Sequence, residues 1–324
     1  MIGNSNSDDE RFEQAEAMEE RGQHFDALKT WRELVRDHPD AEIFCRQARL
    51  AEQLGYIDEA ERAYGSAIQA DAKHPWAKAG LASILLKRGE SDEAARLLQQ
   101  SLTDEKSPIT HTMLGVALMS LGRDDEAVDS LEAAISLDPG YEEAYFNLAQ
   151  LRKKADRAEA ERLLLKALEA DPEYVDAHRE LGWLLSESQE DPSPSSEYHI
   201  RRSIELKPDD AWARIYLGNV LWKRADVSGS IREFERAIQL MPQRSLPLWS
   251  LANLYEAKES WNEAEALYER AIQAEPDDAI AHMNFGRMLK KKGDTAKARD
   301  QLRLAVELDP NYAAASKLLS EIDR

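Results

Sequence analysis

The sequence predicts an all-α solenoid of about nine stacked helix-turn-helix units closed by a C-terminal capping helix, and three observations carry that prediction. The first is a period. Prolines fall at Pro139, Pro172, Pro208, Pro242, Pro276 and Pro310, at spacings of 33, 36, 34, 34 and 34 residues. Proline has no amide hydrogen to donate and pushes the preceding residue out of the α region, so each marks a helix end. A fixed spacing of this size marks a structural repeat.

The second observation is a register of small residues. With the proline at the end of a unit, the first helix carries Ala15, Ala48, Ala82, Gly115, Ala149, Gly182, Gly218, Ala252 and Gly286 at one place. The second helix carries Ala27, Ala60, Ala94, Ala127, Ala160, Ser196, Ser230, Ala264 and Ala298. Large residues follow four places later, among them Trp31, Tyr64, Leu98, Leu131, Leu164, Phe234, Tyr268 and Leu302. Small against large lets two helices approach closely and still fill the space between them. The third observation is turn chemistry. Gly22, Gly55, Gly89, Gly122 and Gly293 stand where a first helix stops, suited to a left-handed cap. Asp58, Asp92, Asp125 and Asn262 stand where a side-chain acceptor is expected to cap the second helix.

In chain order, residues 1–7 read as a polar, disordered tail. The units fall near 8–40, 41–74, 75–107, 108–141, 142–174, 175–210, 211–244, 245–278 and 279–312. The unit at 142–174 is one residue short and has "KKADRAEAE" in place of the turn glycine. The unit at 175–210 carries two extra residues, and its "ESQEDPSPSSEYH", with Pro192 and Pro194, predicts a longer loop over 190–197. Residues 313–324, "AAASKLLSEIDR", read as a lone helix that covers the last apolar face, as a solenoid end requires.

The register resembles the tetratricopeptide repeat, most clearly in "MNFGRMLKKKGDTAKARDQLRLAVELDP" (283–310), with Phe285, Gly286, Leu289, Ala298, Leu302, Ala305 and Pro310 at the motif's key places. The resemblance covers about residues 8–312. It implies a right-handed superhelix, and a concave face lined by the second, fifth, sixth, ninth, twelfth and thirteenth places of each first helix.

Those places divide the face into unlike zones. The first unit offers Asp9, Glu13, Glu16, Glu19 and Glu20; the third and fourth offer Trp76, Ser83, Leu86, Ile109, Met113, Val116 and Met119. The sixth to ninth units offer the candidate peptide-binding groove: Trp183, Trp212, Tyr216, Asn219, Trp222, Lys223, Trp249, Asn253, Asn284, Arg287, Lys290 and Lys291. Tryptophan supplies large rigid apolar area at low entropic cost, and asparagine can both donate to and accept from a peptide backbone. Asn253 and Asn284 match the asparagine pair with which some family members clamp the C-terminal carboxylate of heat-shock chaperones. The clamp's cationic places hold Trp249, Ala314 and Leu318 here, which points to a different extended ligand.

Composition narrows the chemistry. A formal net charge of -20 disfavours nucleic acid, which needs clustered lysine and arginine, and no hydrophobic run is long enough to span a bilayer. Seven histidines and one cysteine, Cys45, form no metal-ligand spacing, and no glycine loop is built for phosphate, so no cofactor, metal or catalytic residue is expected. The lone cysteine and a start without basic or apolar segments read as cytoplasmic. The expected role is a non-catalytic scaffold or adaptor that takes an extended or disordered segment of another protein. Two alternatives are a regulatory subunit of a separately encoded enzyme, and weak head-to-tail self-association of the acidic first unit with the basic ninth. Ala264→Trp is expected to destabilise the fold by about 3 kcal/mol or more in denaturant unfolding, because an indole cannot fit where two helices nearly touch.

Overall fold

The computed structural model describes residues 5–187 and 194–323, and every regular element in them is an α-helix. Contacts divide the chain into two compact units, residues 1–171 and 172–324. In the first, the leading helices of the hairpins are α1 (Ser5–Glu20), α3 (Ala41–Gln53), α5 (Pro75–Lys87), α7 (Pro108–Ser120) and α9 (Glu142–Arg152). Their partners are α2 (His24–Asp37), α4 (Ile57–Ala70), α6 (Ser91–Asp104), α8 (Asp124–Leu137) and α10 (Arg157–Ala170). In the second unit the leading helices are α11 (Val175–Ser186), α13 (Ala211–Lys223), α15 (Ser245–Ala257) and α17 (Ala279–Lys292). Their partners are α12 (Pro194–Leu206), α14 (Val227–Leu240), α16 (Trp261–Ala274) and α18 (Thr295–Leu308), and α19 (Ala313–Ile322) packs on α17 and α18. Within each unit every helix packs on the next in sequence, and successive leading helices also touch.

The hairpins close through the small-residue register. All eighteen small positions are buried. A Cβ added at Gly115 would stand 2.7 Å from Leu131, at Gly182 2.5 Å from Ile200, at Gly218 2.8 Å from Phe234 and at Gly286 2.7 Å from Leu302. The large residue four places beyond the second helix's small one therefore occupies the space that the glycine leaves. Where serine replaces alanine, its hydroxyl is satisfied across the same contact: Ser196 donates to the Gly182 carbonyl at 2.8 Å and Ser230 to that of Gly218 at 2.7 Å.

The turn glycines adopt positive φ, from 69° at Gly122 to 96° at Gly293. The same place in the seventh and eighth units holds Ala225 (φ 61°) and Glu259 (φ 59°), which keep the left-handed conformation despite a Cβ. The helix starts differ from expectation. Asp58, Asp92, Asp125 and Asn262 do not cap; α4, α6, α8 and α16 begin one residue before them, after Tyr56, Glu90, Arg123 and Ser260, none of which makes a side-chain cap bond. The aspartates lie in the first turn, where a negative charge is favoured by the helix dipole. Side-chain caps come instead from Asp40, Ser107, Asp156, Asp210, Asp226, Asp278 and Asp294.

Two further segments depart from the reading. α1 begins at Ser5, so residues 5–7 of the expected tail are helical, and residues 1–4 lie outside the described residues. Of the loop expected over 190–197, residues 190–193, with Pro192, lie outside the described residues. Pro194 opens α12, because proline's fixed φ suits a first helical turn whose amide needs no partner.

Relieving the left-handed strain should stabilise the chain. Ala225→Gly and Glu259→Gly are each expected to add about 0.5–1 kcal/mol, the relief of about 1–2 less the entropy that glycine loses on folding. Gly293→Ala is expected to shift the denaturation midpoint the other way.

Candidate functional site

Leading helices α11, α13 and α15 bring four of the five predicted aromatic residues to one concavity of about 340 Å³ inside the second unit. Its walls include Trp183 from α11, Tyr216, Asn219 and Trp222 from α13, and Trp249 and Asn253 from α15. The Tyr216 ring lies 6.2 Å from that of Trp183 and 6.5 Å from that of Trp212. Trp212 is 40% and Trp222 36% exposed, and Trp183 and Trp249 are half-buried. Trp212 touches Tyr216 but stands outside the concavity. Burial, with Glu180 beside it, pushes the Tyr216 phenol up to about 12, so it remains a neutral donor and acceptor.

The polar candidates divide by what already holds them. Arg287 donates from Nη2 to Asn253 Oδ1 at 2.8 Å and to Glu256 Oε2 at 3.2 Å. Lys291 Nζ donates to Glu256 Oε1 at 2.7 Å. The Tyr268 hydroxyl lies 2.6 Å from Asn253 Oδ1 and 2.9 Å from Glu256 Oε2, sharing its single proton between them. Guanidinium has no acceptor, so the Asn253 atom facing it is the oxygen, and Asn253 Nδ2 has no hydrogen-bond partner among the described residues. Glu256 is only 4% exposed. Burial raises its pKa, but bonds from Arg287 and Lys291 outweigh that and hold it below the usual carboxylate range.

The remaining cations are also engaged. Lys223 Nζ donates to the Ser186 carbonyl at the C-terminus of α11, 2.6 Å away, and Lys290 pairs with Glu321 of α19. The four basic candidates of the groove thus each have a partner within the protein. Asn284 is corrected outright. It is 4% exposed, within a stretch of α17 buried from Ala281 to Gly286, and it does not line the concavity.

The structure adds residues that the reading left out. Ile215, Leu246 and Ser250 line the concavity, and Glu256 organises its polar edge. The concave places that the resemblance implies, which select Trp249 and Asn253, also select Leu246, Ser250 and Glu256. Tyr268 carried no such signal of its own, because it occupies a packing place of the second helix.

The first unit has its own concavity of about 450 Å³, lined by Trp76, Ser83, Ile109 and Met113 with Arg46, Arg49 and Glu52. Its acidic mouth is partly neutralised: Arg46 pairs with Glu16 at 3.1 Å and Arg49 with Glu19 at 2.6 Å. Cys45 also reaches this lining, with Sγ 3.4 Å from Nδ1 of His74, whose Nε2 is 3.1 Å from Glu42. Burial, with Glu42 and Asp40 nearby, pushes the thiol up to about 12. A thiol held protonated is a poor nucleophile. Among the described residues, no group of three or more His, Cys, Asp or Glu is placed to hold a metal ion, and no helix is long and apolar enough to cross a membrane.

Truncating Glu256 should expose its role. Glu256→Ala leaves Arg287 and Tyr268 with Asn253 Oδ1 as their remaining acceptor and takes away the partner of Lys291, and it is expected to cost about 1–3 kcal/mol in denaturant unfolding. The pH dependence has a fixed sign. A carboxyl group held low when folded stabilises at neutral pH, and that contribution is lost as pH falls through its folded pKa. The acid loss of stability is therefore expected to be shallower in Glu256→Gln than in the unaltered chain.

Comparison with known proteins agrees with this architecture. Models described as tetratricopeptide repeat match residues 11–41, 51–114 and 250–313, and one described as TPR repeat matches 115–156, together more than half of the chain. A tetratricopeptide repeat and J domain-containing co-chaperone, DNJ1, of Fusarium oxysporum f. sp. lycopersici is 34% identical over 97 residues, which are 28% of this chain and 18% of that protein. The crystal structure of the APC/C hetero-tetramer Cut9-Hcn1 superposes with a TM-score of 0.66 at 15% identity, covering 92% of this chain and 59% of that one. Yeast Tom70 superposes with a TM-score of 0.53 at 14% identity, covering 98% of this chain and 80% of that one. At these identities the two structures show the fold, an all-α superhelical repeat solenoid. The chain belongs to the tetratricopeptide-repeat family and is, in general terms, a protein-interaction scaffold.

Proposed function

We propose that this chain is a non-catalytic adaptor that holds an extended segment of a partner protein in the concave groove of residues 172–324. One observation carries the reading. Trp183, Tyr216, Trp222 and Trp249 border an open concavity of about 340 Å³, and Tyr216 and Trp249 also pack against the hydrophobic core beneath it. Large aromatic rings that border open space are the surface from which binding hot spots are made. The co-chaperone's repeats, of the same kind, support a protein partner.

The chain's non-catalytic role rests on its repeat fold, which typically serves as an interaction module. Its cytoplasmic placement rests on the lone cysteine in a chain of 324 residues.

The test is capture from a native lysate by the immobilised chain, with Trp222→Ala and Asn253→Asp compared against the unaltered chain. Asn253→Asp keeps an oxygen for Arg287 and removes the free amide donor. Proteins retained by the unaltered chain should be lost or reduced about thirtyfold by Trp222→Ala at unchanged circular dichroism, since truncating a hot-spot residue costs about 2 kcal/mol or more. Retention that Trp222→Ala leaves intact would contradict the groove.

A further inference from the structure

We infer that the concavity of residues 1–171 is a second docking site, for a basic segment of a partner protein that carries a large apolar side chain among its lysines or arginines. It lies in the other compact unit and does not depend on the groove reading of residues 172–324. Three observations converge on it.

The first is an apolar recess left open to water. Trp76 of α5 and Ile109 of α7 are 56% and 42% exposed, and with Met113 they line the concavity of about 450 Å³. Tyr64 of α4 joins that lining because Gly80 makes room for it: a Cβ at Gly80 would stand 2.3 Å from the Tyr64 ring. Apolar surface gathered in a concave site is where a ligand's own apolar side chain gains most from leaving water.

The second is the balance of charge at the rim. Arg46 is taken by Glu16 at 3.1 Å and Glu42 at 2.6 Å, Arg49 by Glu19 at 2.6 Å, and Lys87 by Glu52 at 2.6 Å. Four carboxylates thus answer three cations. Beyond them, Glu13 and Glu20 are exposed on α1 and make no hydrogen bond or ion pair with any described residue. The surplus is negative, and its complement is a cation.

The third is where that surplus sits. Glu16 follows Glu13 by three residues and precedes Glu20 by four, so the three share one face of α1 and repel one another. Glu19 and Glu20 close the helix at the negative end of its dipole, and the last turn holds no basic residue. A cation beside this face relieves both strains. The face also adjoins the recess, because Arg46 and Arg49, which line the recess, reach across to Glu16 and Glu19. A segment whose apolar side chain enters beside Trp76 therefore brings a neighbouring lysine or arginine to α1, where an acidic segment would meet like charge.

The experiment uses the full chain and three capped, labelled peptides in fluorescence polarisation. One has leucine and phenylalanine at its centre and lysines on both sides; the second has glutamate in place of lysine, and the third glycine in place of leucine and phenylalanine. The first is expected to bind, to weaken as salt is raised, and to weaken about thirtyfold in Trp76→Ala at unchanged circular dichroism. Glu13→Gln combined with Glu20→Gln should weaken it severalfold and flatten its salt dependence, and Trp222→Ala in the other unit should leave it unchanged. The other two peptides should bind roughly tenfold more weakly or worse. Equal binding of the glutamate peptide would overturn the preference for a basic ligand. Equal binding of the glycine peptide, or lysine-peptide binding indifferent to Trp76→Ala, would show simple attraction to an acidic surface and overturn the site, as would binding of none of the three. Peptide-free chain that associates with itself in light scattering, and ceases to in Trp76→Ala, would assign the recess to a second copy and overturn the inference as well. Each of these failures leaves the groove around Trp222 standing, because that groove is tested by capture.

Discussion

The structure depends on one contact, repeated: a residue with little or no side chain on one helix of a hairpin against a large apolar one on the other. Gly115 under Leu131, Gly182 under Ile200, Gly218 under Phe234 and Gly286 under Leu302 are four instances. The distance of closest approach is set there, and little else in a hairpin has to be conserved in size for it to close. Because the contact consumes one face of each helix, the leading helices keep another face that packing between the two helices does not use. A groove is the geometric remainder of that arrangement.

What fills the remainder differs along the chain, and the difference is electrostatic as much as apolar. Residues 1–171 hold 35 acidic against 21 basic side chains, whereas residues 172–324 hold 27 against 21. In the second unit the buried Glu256 collects Arg287 and Lys291, and the charge that the sequence assigns to the groove is spent on joining neighbouring hairpins. The same device recurs at Arg179 with Asp210 and at Lys290 with Glu321, each pair separated by 31 residues, close to one repeat. Ion pairs of this kind tie one hairpin to the next as much as they decorate the surface.

Most of the fold was legible because its signals are periodic. Proline, small residues and turn glycines each mark the same register, and the strained Ala225 and Glu259 show that the turn imposes the left-handed backbone even where glycine is missing. The second-helix caps were misplaced because an aspartate two residues into a helix and one before it look alike in a sequence; where Asp226 and Asp294 do cap, the acceptor sits immediately before the first turn. At the site, the aromatic walls followed from the concave places that the family resemblance implies, with Trp212 falling outside the concavity. The fate of the polar residues did not, because it depends on partners about one repeat away: Asn253 is turned by Arg287, 34 residues on, and Asn284 is buried by the helices around α17.

The most direct measurement is hydroxyl-radical footprinting of the seven tryptophans in the free chain and with a captured partner bound. The account predicts that Trp212 and Trp222 oxidise readily in the free chain, that Trp31, fully buried, never does, and that Trp222 becomes protected when the partner binds. A Trp222 already protected in the free chain, or one that stays reactive in the complex, would contradict it.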